Sequence, residues 1–188
     1  ISTVNMLGCH DGIPLLDLKG LLPEEEIQSL IDRIVSRGGM VKNLHGQKNL
    51  YYQVNATYYS ALGESDEKML LARAIQMFMP GKPQIWYLDL FAGKNDHEAV
   101  QRAGESGHKE INRTNLSVDQ IAEGLKKDVV QKQLALIRMR NTHKAFSEGA
   151  EVTISGGERS LEIRWEYDGA YAELHVNFEE GTYTIESN

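Results

Sequence analysis

The chain has 188 residues, 41% of them hydrophobic, and its formal net charge at pH 7 is −7. This composition is typical of a folded globular protein of one or two domains, and the acidic balance argues against a general nucleic-acid or anionic-membrane surface. No run reaches the ~18 apolar residues of a membrane span. The single cysteine, Cys9, excludes an internal disulfide and favours a reducing, cytoplasmic location.

The first apolar run, Ser2–Leu7, predicts a short buried strand that ends at Gly8. His10 and Asp11 follow it directly. A titratable pair at a strand end is either a turn closed by the aspartate or part of a functional site. Because the chain begins at Ile1, inside this predicted strand, we expect it to be a piece of a longer protein.

Two helices are predicted next. Pro23 precedes three glutamates and an apolar pattern of helical period that stops at the glycine pair 38–39, which predicts a helix between them. Residues 40–51 predict a polar loop. Ser65 is a candidate cap for a second helix over Lys68–Met79, which Pro80 ends.

The following stretch predicts a strand, a long loop and two further helices. An apolar run predicts the strand, and the loop is rich in glycine, asparagine and aspartate. Ser117 is a candidate cap for the first of the two helices. The segments are, in order, Ile85–Leu88, Ala92–Leu116, Val118–Leu125 and Val129–Asn141.

After Phe146 the apolar period changes from 3.6 to 2, which is typical of strands. Glycine-containing turns separate the alternating segments. The segments are Glu151–Ile154, Leu161–Tyr167, Ala170–Asn177 and Thr182–Glu186. We therefore predict an α/β region over 1–146 and an antiparallel four-stranded β domain over 147–188.

Five segments in this order resemble the C-terminal part of sucrose phosphorylases, a family of the α-amylase superfamily of glycoside hydrolases. They are LGCHDGIPLLDLKGLL, YYQVNATYYSALG, LLARAIQMFMPGKPQIWYLDLFAGKND, GHKEINRTNLS and VVQKQLALIRMRNTHKAF. The resemblance implies the C-terminal part of a (β/α)8 TIM barrel, with strands seven and eight, followed by the small antiparallel β domain. Strand eight would lie at Gln84–Leu88.

The resemblance also implies a reaction. The family transfers the glucosyl group of sucrose to phosphate, giving α-glucose 1-phosphate and fructose with retention of configuration through a covalent glucosyl intermediate. It needs no metal and no organic cofactor. The histidines of this chain show no spacing typical of a zinc site.

The motifs assign five site residues by resemblance. Asp11 would stabilise the transition state and His10 would bind the glucosyl ring; Tyr52, Gln53 and Arg113 would line the fructose and phosphate site. The alternative for the tyrosine segment is a half-buried strand or loop, and the alternative for Arg113 is a plain surface cation. The residues before Tyr52 depart from the family pattern, so sucrose 6′-phosphate and glucosylglycerate stay open as substrates.

The two carboxylates of a retaining mechanism match no motif here. In the family both lie on earlier barrel strands, and Asp89 is more simply a carboxylate that caps a loop. We therefore expect the isolated chain to be inactive without an N-terminal barrel half, and to self-associate or pair through its incomplete barrel. The competing interpretation is a non-catalytic fragment, or an interaction or carbohydrate-binding module.

Overall fold

A computed structural model of the chain describes residues 3–43 and 51–188. The helices of these residues are α1 Glu24–Ser36, α2 Tyr58–Ala61, α3 Asp66–Phe78, α4 Tyr87–Leu90, α5 His97–Ala103, α6 Val118–Gly124 and α7 Asp128–Thr142. The strands are β1 Val4–Asn5, β2 Ile13–Pro14, β3 Met40–Asn43, β4 Tyr51–Asn55, β5 Lys82–Pro83, β6 Glu151–Gly157, β7 Ser160–Tyr167, β8 Ala170–Asn177 and β9 Thr182–Ser187.

The chain forms two compact units that interleave in sequence. The first contains Ile1–Met6, Asp66–Gln84 and Lys126–Asn188, and the second contains Leu7–Ser65 and Ile85–Leu125. The domain boundary between residues 146 and 147 stays a prediction.

The first unit contains the parallel pair β1 and β5. Val4 pairs with Lys82 and Asn5 with Pro83, and the N–H of Gln84 donates to the carbonyl of Asn5 at 2.8 Å. Adjacent parallel strands are the arrangement expected for strands seven and eight of a barrel. Val4 is 58% exposed among the described residues, so the burial predicted for the first strand is not seen within this chain.

The strand predicted over Ile85–Leu88 is also wrong. Tyr87–Leu90 forms the short helix α4, which follows the extended residue Trp86 and buries Leu88. A run of four apolar residues fits a strand and a buried helical turn equally well, because it is too short to show a period. The parallel strand lies earlier, at Lys82–Pro83, since its ladder to β1 ends at Gln84.

A buried polar cluster joins α3 to α7. The fully buried Arg73 donates from Nε to the side-chain oxygen of Gln133 at 2.8 Å and from Nη1 to that of Gln76. The Gln76 amide in turn donates to the carbonyls of Asn5 and Gln84, at 3.1 and 2.9 Å. These bonds connect both helices, which the sequence predicts to within about two residues, to the ends of the two parallel strands.

The strands β6 to β9 form the predicted antiparallel meander, in sequence order. Its inward face buries Ile163, Trp165, Ala172, Leu174 and Val176. The indole N–H of Trp165 donates to the carbonyl of Phe78 at 2.6 Å, and the Arg140 guanidinium lies 4.2 Å from the Trp165 ring. This tryptophan therefore attaches the sheet to α3 and α7.

The second unit contains an antiparallel sheet in the order β2-β4-β3, with α1 packed on its core. The predicted helix after Pro23 is confirmed as α1, with Pro23 at the N-cap position. Spacings of four and three residues put its buried isoleucines on one face. The core residues of this unit include Leu15, Ile27, Ile31, Ile34, Val54 and Ala56.

Two predicted loops contain regular structure. Met40–Asn43 is the strand β3, so the loop predicted over 40–51 is wrong at its start, and residues 44–50 lie outside the described residues. Within 92–116, α5 is followed by a 3₁₀ segment, Gly104–Asn112. Asp96 and Gly104, which are of residue types that indicate a loop, lie at the two ends of α5. Asp96 caps this helix by accepting from the N–H of Ala99 at 2.8 Å.

The helix predicted after Ser117 is confirmed as α6. The Ser117 hydroxyl accepts from the N–H of Gln120 at 3.2 Å, and the Gln120 side chain accepts from the N–H of Ser117 at 2.8 Å. This reciprocal pair is a capping box, which satisfies two backbone donors at the helix start. None of the helices in the described ranges has the length and apolar character needed to span a bilayer.

Candidate functional site

His10 and Asp11 are the two central residues of a tight turn. The N–H of Gly12 donates to the carbonyl of Cys9 at 3.0 Å, and the N–H of Cys9 donates back to the carbonyl of Gly12 at 3.3 Å. Both side chains project from this closed turn, with 57% and 40% of their surface exposed. The pair is therefore a turn, and its geometry leaves the two side chains accessible to a ligand.

Gly12 allows this turn to lie directly against β4. Its φ of +103° falls in a region that side chains disfavour, and a Cβ atom built there would lie 2.3 Å from the carbonyl oxygen of Val54. Ile13, the next residue, pairs with Val54 in the antiparallel sheet. The glycine thus permits both the reversal of the chain and the close approach of the two backbones.

Three side chains hold the backbone of the turn through three consecutive carbonyl groups. The buried Asn112 amide donates to the carbonyl of Cys9 at 2.7 Å. Arg113 donates from Nε to the carbonyl of His10 at 3.0 Å, and the buried Asn55 amide donates to that of Asp11 at 2.7 Å. Donors from two separate segments, β4 and the end of the 3₁₀ segment, therefore fix the position of the turn.

The Asp11 carboxylate lies among three basic side chains. Its Oδ1 accepts from Lys109 Nζ at 2.6 Å and from Arg113 Nη2 at 3.2 Å, and its Oδ2 lies 3.2 Å from His10 Nε2. The hydrogen bond from Lys109 holds the pKa of Asp11 below its usual value, and the nearby positive charges act in the same direction against partial burial. The carboxylate is consequently ionised at neutral pH.

Trp86 connects the turn to the 3₁₀ segment. Its ring centroid lies 5.9 Å from that of His10, with the planes tilted by 53°. Its indole N–H donates to the carbonyl of Asn112 at 3.2 Å. The His10 imidazole therefore has the Trp86 ring as an aromatic neighbour.

The structure brings together three of the five predicted site residues: His10, Asp11 and Arg113. Gln53 is buried, at 5% exposure, in β4, where it pairs with Pro14 of β2. The Tyr52 side chain lies outside the described residues, so its predicted role stays a prediction.

Sequence reasoning missed Lys109, Asn55 and Asn112. Lys109 and Asn112 stand in the same short motif as Arg113, GHKEINR, and their proximity to that arginine is the signal that could have identified them. Asn55 is in the YYQVN motif, two residues after Gln53. Nothing in the spacing alone indicates that these side chains point at the turn.

Asp89 has the role of a capping carboxylate. It is 1% exposed in α4, and its Oδ1 accepts from the N–H of Tyr58, the first residue of α2, at 2.9 Å. This contact agrees with the loop-capping interpretation of the sequence. Among the described residues, no group of three or more His, Cys, Asp or Glu side chains is placed to hold a metal ion.

Comparison with known proteins finds several relatives. The chain is 54% identical to a sucrose 6(F)-phosphate phosphorylase of Ilumatobacter coccineus, in an alignment covering 98% of this chain and 37% of that protein. It is 37% identical to a sucrose phosphorylase of Streptococcus mutans, with 97% of this chain and 39% of that protein aligned. A scan against models of protein families finds no match.

A solved structure has the same fold. The crystal structure of sucrose 6F-phosphate phosphorylase from Thermoanaerobacter thermosaccharolyticum superposes with a TM-score of 0.92 at 39% identity, over 100% of this chain and 38% of that one. The part that matches is the C-terminal part of that enzyme, which confirms the predicted fold class. The chain spans less than two fifths of the length of the relatives it matches.

Proposed function

Because the chain belongs to the sucrose phosphorylase family and corresponds to the C-terminal part of its members, we propose that it contributes one wall of the active site of a glucosyl-transferring phosphorylase. The donor is sucrose or sucrose phosphorylated on its fructosyl unit, and the acceptor is inorganic phosphate. The observation that carries the proposal is the ionised Asp11 carboxylate, fixed beside His10 on a turn that side chains hold at three carbonyl groups.

The reaction needs two displacements at the anomeric carbon. A carboxylate supplied from outside this chain attacks that carbon, and the glycosidic C–O bond breaks as an acid gives its proton to the departing fructosyl oxygen. An oxygen of phosphate then attacks the same carbon, and the ester to the carboxylate breaks. The products are α-glucose 1-phosphate and fructose, or fructose 6-phosphate from the phosphorylated donor.

Asp11 and His10 suit the glucosyl side of this reaction. The transition state has positive charge on the sugar ring, and a fixed carboxylate stabilises that charge more than it stabilises the neutral ground state. The imidazole offers a hydrogen-bonding nitrogen for a sugar hydroxyl and lies beside the Trp86 ring. The low pKa of Asp11 keeps the carboxylate charged during turnover.

Arg113 suits the acceptor side. Its guanidinium has a permanent positive charge that suits a phosphate group, and its side chain is 32% exposed beside the turn. We propose that Arg113 acts there with Gln53 and Tyr52. A donor phosphorylated on fructose is favoured over sucrose, because a relative with 54% identity over nearly the whole chain is named for that substrate.

A second candidate is a non-catalytic module that binds a sugar. It is favoured by the lack of any motif in this chain for the nucleophile or the acid. In that case the turn would bind a glucosyl unit and the chain would show no turnover in any assembly. A cytoplasmic location stays a prediction that rests on the single cysteine.

The test combines this chain with the N-terminal part of the Ilumatobacter relative, either as one fused polypeptide or as two co-expressed chains. Sucrose 6(F)-phosphate or sucrose is supplied with phosphate, and release of α-glucose 1-phosphate is measured. We expect turnover by the assembly and none by the 188-residue chain alone. An assembly that forms and stays inactive with both donors would refute the proposed activity.

Asp11→Asn is the matched variant, because it keeps the shape of the side chain and removes its charge. We expect a loss of kcat of at least about 10²-fold with assembly unchanged, as for other groups that stabilise transition-state charge. Asn115→Asp, on the exposed surface near the motif, is the control and should keep normal turnover. An Asp11→Asn enzyme with normal kcat would contradict the role of the carboxylate.

A further inference from the structure

Lys109 makes the shortest contact in the cluster around Asp11. Its ammonium group lies 2.6 Å from Oδ1, whereas the nearest Arg113 nitrogen lies 3.2 Å from the same oxygen. Arg113 also donates to the carbonyl of His10 and lies 3.9 Å from Glu110. The guanidinium is thus shared among three groups, and Lys109 is the stronger partner of the carboxylate.

The position of Lys109 is set by the segment that carries it. Asn112 and Arg113, three and four residues later, hydrogen-bond to carbonyl groups of the turn, and Trp86 donates to the carbonyl of Asn112. The end of the 3₁₀ segment is therefore attached to the turn through its backbone and its side chains. Lys109 reaches Asp11 from a fixed anchor although 98 residues separate them in the chain.

The two carboxylate oxygens have different surroundings. Oδ1 faces the two cations, and Oδ2 faces His10 at 3.2 Å. A carboxylate bound at one oxygen by a short charged hydrogen bond has a restricted torsion about its Cβ–Cγ bond. The edge formed by Oδ2 and the imidazole, 40% and 57% exposed as side chains, is then presented in one orientation.

We propose that Lys109 is a positioning residue that holds the Asp11 carboxylate turned with Oδ2 toward His10, so that a sugar meets a preorganised edge. Lys109 acts through Asp11 and needs no contact with the substrate. The inference rests on the proposed function for its effect on turnover. The arrangement of the carboxylate itself can be tested without any turnover.

The first measurement is a titration of the complete 188-residue chain, followed by the ¹³C chemical shift of the Asp11 carboxyl carbon and assigned with Asp11→Asn. Among the described residues, the other ionisable side chains within 4 Å of this carboxylate are His10 and Arg113. We expect Lys109→Met to move the Asp11 midpoint upward and Lys109→Arg to keep it low. If the Asp11 midpoint in Lys109→Met equals that in the unvaried chain, the proposal is overturned.

Lys94→Met is the matched control for this titration. Lys94 forms an ion pair with Glu64 within the same unit, on a side chain that is 66% exposed. Its replacement removes the same charge from the same unit and should leave the Asp11 midpoint unchanged. An equal upward shift in Lys94→Met would mean that general charge, and not the contact with Lys109, lowers the midpoint, and this would also overturn the proposal.

The second measurement uses the assembled enzyme with α-glucosyl fluoride and water, a reaction without a fructosyl group or phosphate. We expect Lys109→Met to lower kcat about 10²-fold, as misplaced catalytic groups do, and Lys109→Arg to recover most of it. Normal hydrolysis with a raised KM for phosphate alone would identify Lys109 as an acceptor ligand and overturn the positioning role. An inactive unvaried assembly would refute the proposed function, while the titration still decides the role of Lys109.

Discussion

Replacing Gly12 with alanine tests whether the turn of His10 and Asp11 depends on its contact with β4. The substitution has two costs. A side chain at a φ of +103° is disfavoured by roughly 1–2 kcal/mol. The new Cβ atom would also lie 2.3 Å from the Val54 carbonyl oxygen, and relieving such an overlap in a packed region costs about 1–3 kcal/mol. We expect Gly12→Ala to lower the free energy of unfolding by roughly 2–5 kcal/mol.

Gly20→Ala separates the two costs. Gly20 has a φ of +84°, and no atom lies within 4 Å of the position that its Cβ would take. The cost of a side chain at positive φ is therefore of the same kind as at Gly12, but there is no overlap of the new Cβ with a neighbouring atom. We expect a loss of roughly 1–2 kcal/mol at Gly20.

The assay is urea unfolding followed by the indole N–H signal of Trp86 in a ¹H–¹⁵N NMR spectrum. This signal reports the second unit, because Trp86 belongs to that unit and donates to Asn112. The midpoint multiplied by the urea slope gives the free energy for each variant. Equal losses in Gly12→Ala and Gly20→Ala would refute the reasoning, since the overlap with Val54 would then cost nothing.

Three further predictions concern the same unit. Lys109 lowers the pKa of Asp11 in the folded chain. The stabilising contribution of the ionised Asp11 is therefore present above pH about 4 and is lost as the pH falls through the folded-state pKa. Urea midpoints measured from about pH 6 to pH 2.5 should fall less in Asp11→Asn than in the unvaried chain. Asn112→Leu removes the donor to the Cys9 carbonyl and should cost about 1–3 kcal/mol by urea unfolding, whereas Asn115→Leu, on the exposed surface, should change stability by less than about 0.5 kcal/mol. Ser117→Ala removes half of the capping box of α6 and should cost about 1 kcal/mol, and Gln120→Ala should cost less than the serine, because only the serine closes the first helical turn. The first prediction is contradicted if the urea midpoint of Asp11→Asn depends on pH as that of the unvaried chain does. The second is contradicted if Asn112→Leu and Asn115→Leu have equal urea midpoints, and the third if Ser117→Ala keeps the urea midpoint of the unvaried chain.

Long periodic segments of this sequence predict their structure well. The helices α1, α3 and α7 lie within about two residues of the predicted positions. The meander β6–β9 has the predicted strand order, and its second and third turns lie where predicted, whereas the glycines 156 and 157 belong to β6 and the first turn follows them. Each of these elements spans enough residues for a period of 3.6 or 2 to be visible, and the helices together with β7 and β8 bury residues at that spacing.

Segments without a visible period are where the sequence-based predictions are wrong. The run Ile85–Leu88 is too brief to show a period, so tertiary packing decides that Tyr87–Leu90 is helical. The stretch 92–116 is rich in residues that favour turns, yet those residues end and begin α5 and the following 3₁₀ segment. The residue types that favour loops are the same ones that occur at helix boundaries, so local composition does not distinguish the two.

The candidate site also contains residues that the sequence predicts and residues that it does not. Motif resemblance predicts His10, Asp11 and Arg113, and the contacts of the turn bring all three together. Lys109 and Asn55 are polar residues with ordinary neighbours in sequence. Their importance depends on side-chain contacts with the turn over distances of 98 and 44 residues along the chain.

The amino-acid sequence is enough to predict the long periodic elements, the candidate pair His10 and Asp11, and the family that the chain resembles. These follow from local preferences and from motifs that are visible in one dimension. The tertiary structure alone decided which oxygen of Asp11 meets Lys109, which faces His10, and which amides hold the turn. Such contacts depend on the three-dimensional approach of segments far apart in the chain, and a pattern of neighbouring residues contains no record of that approach.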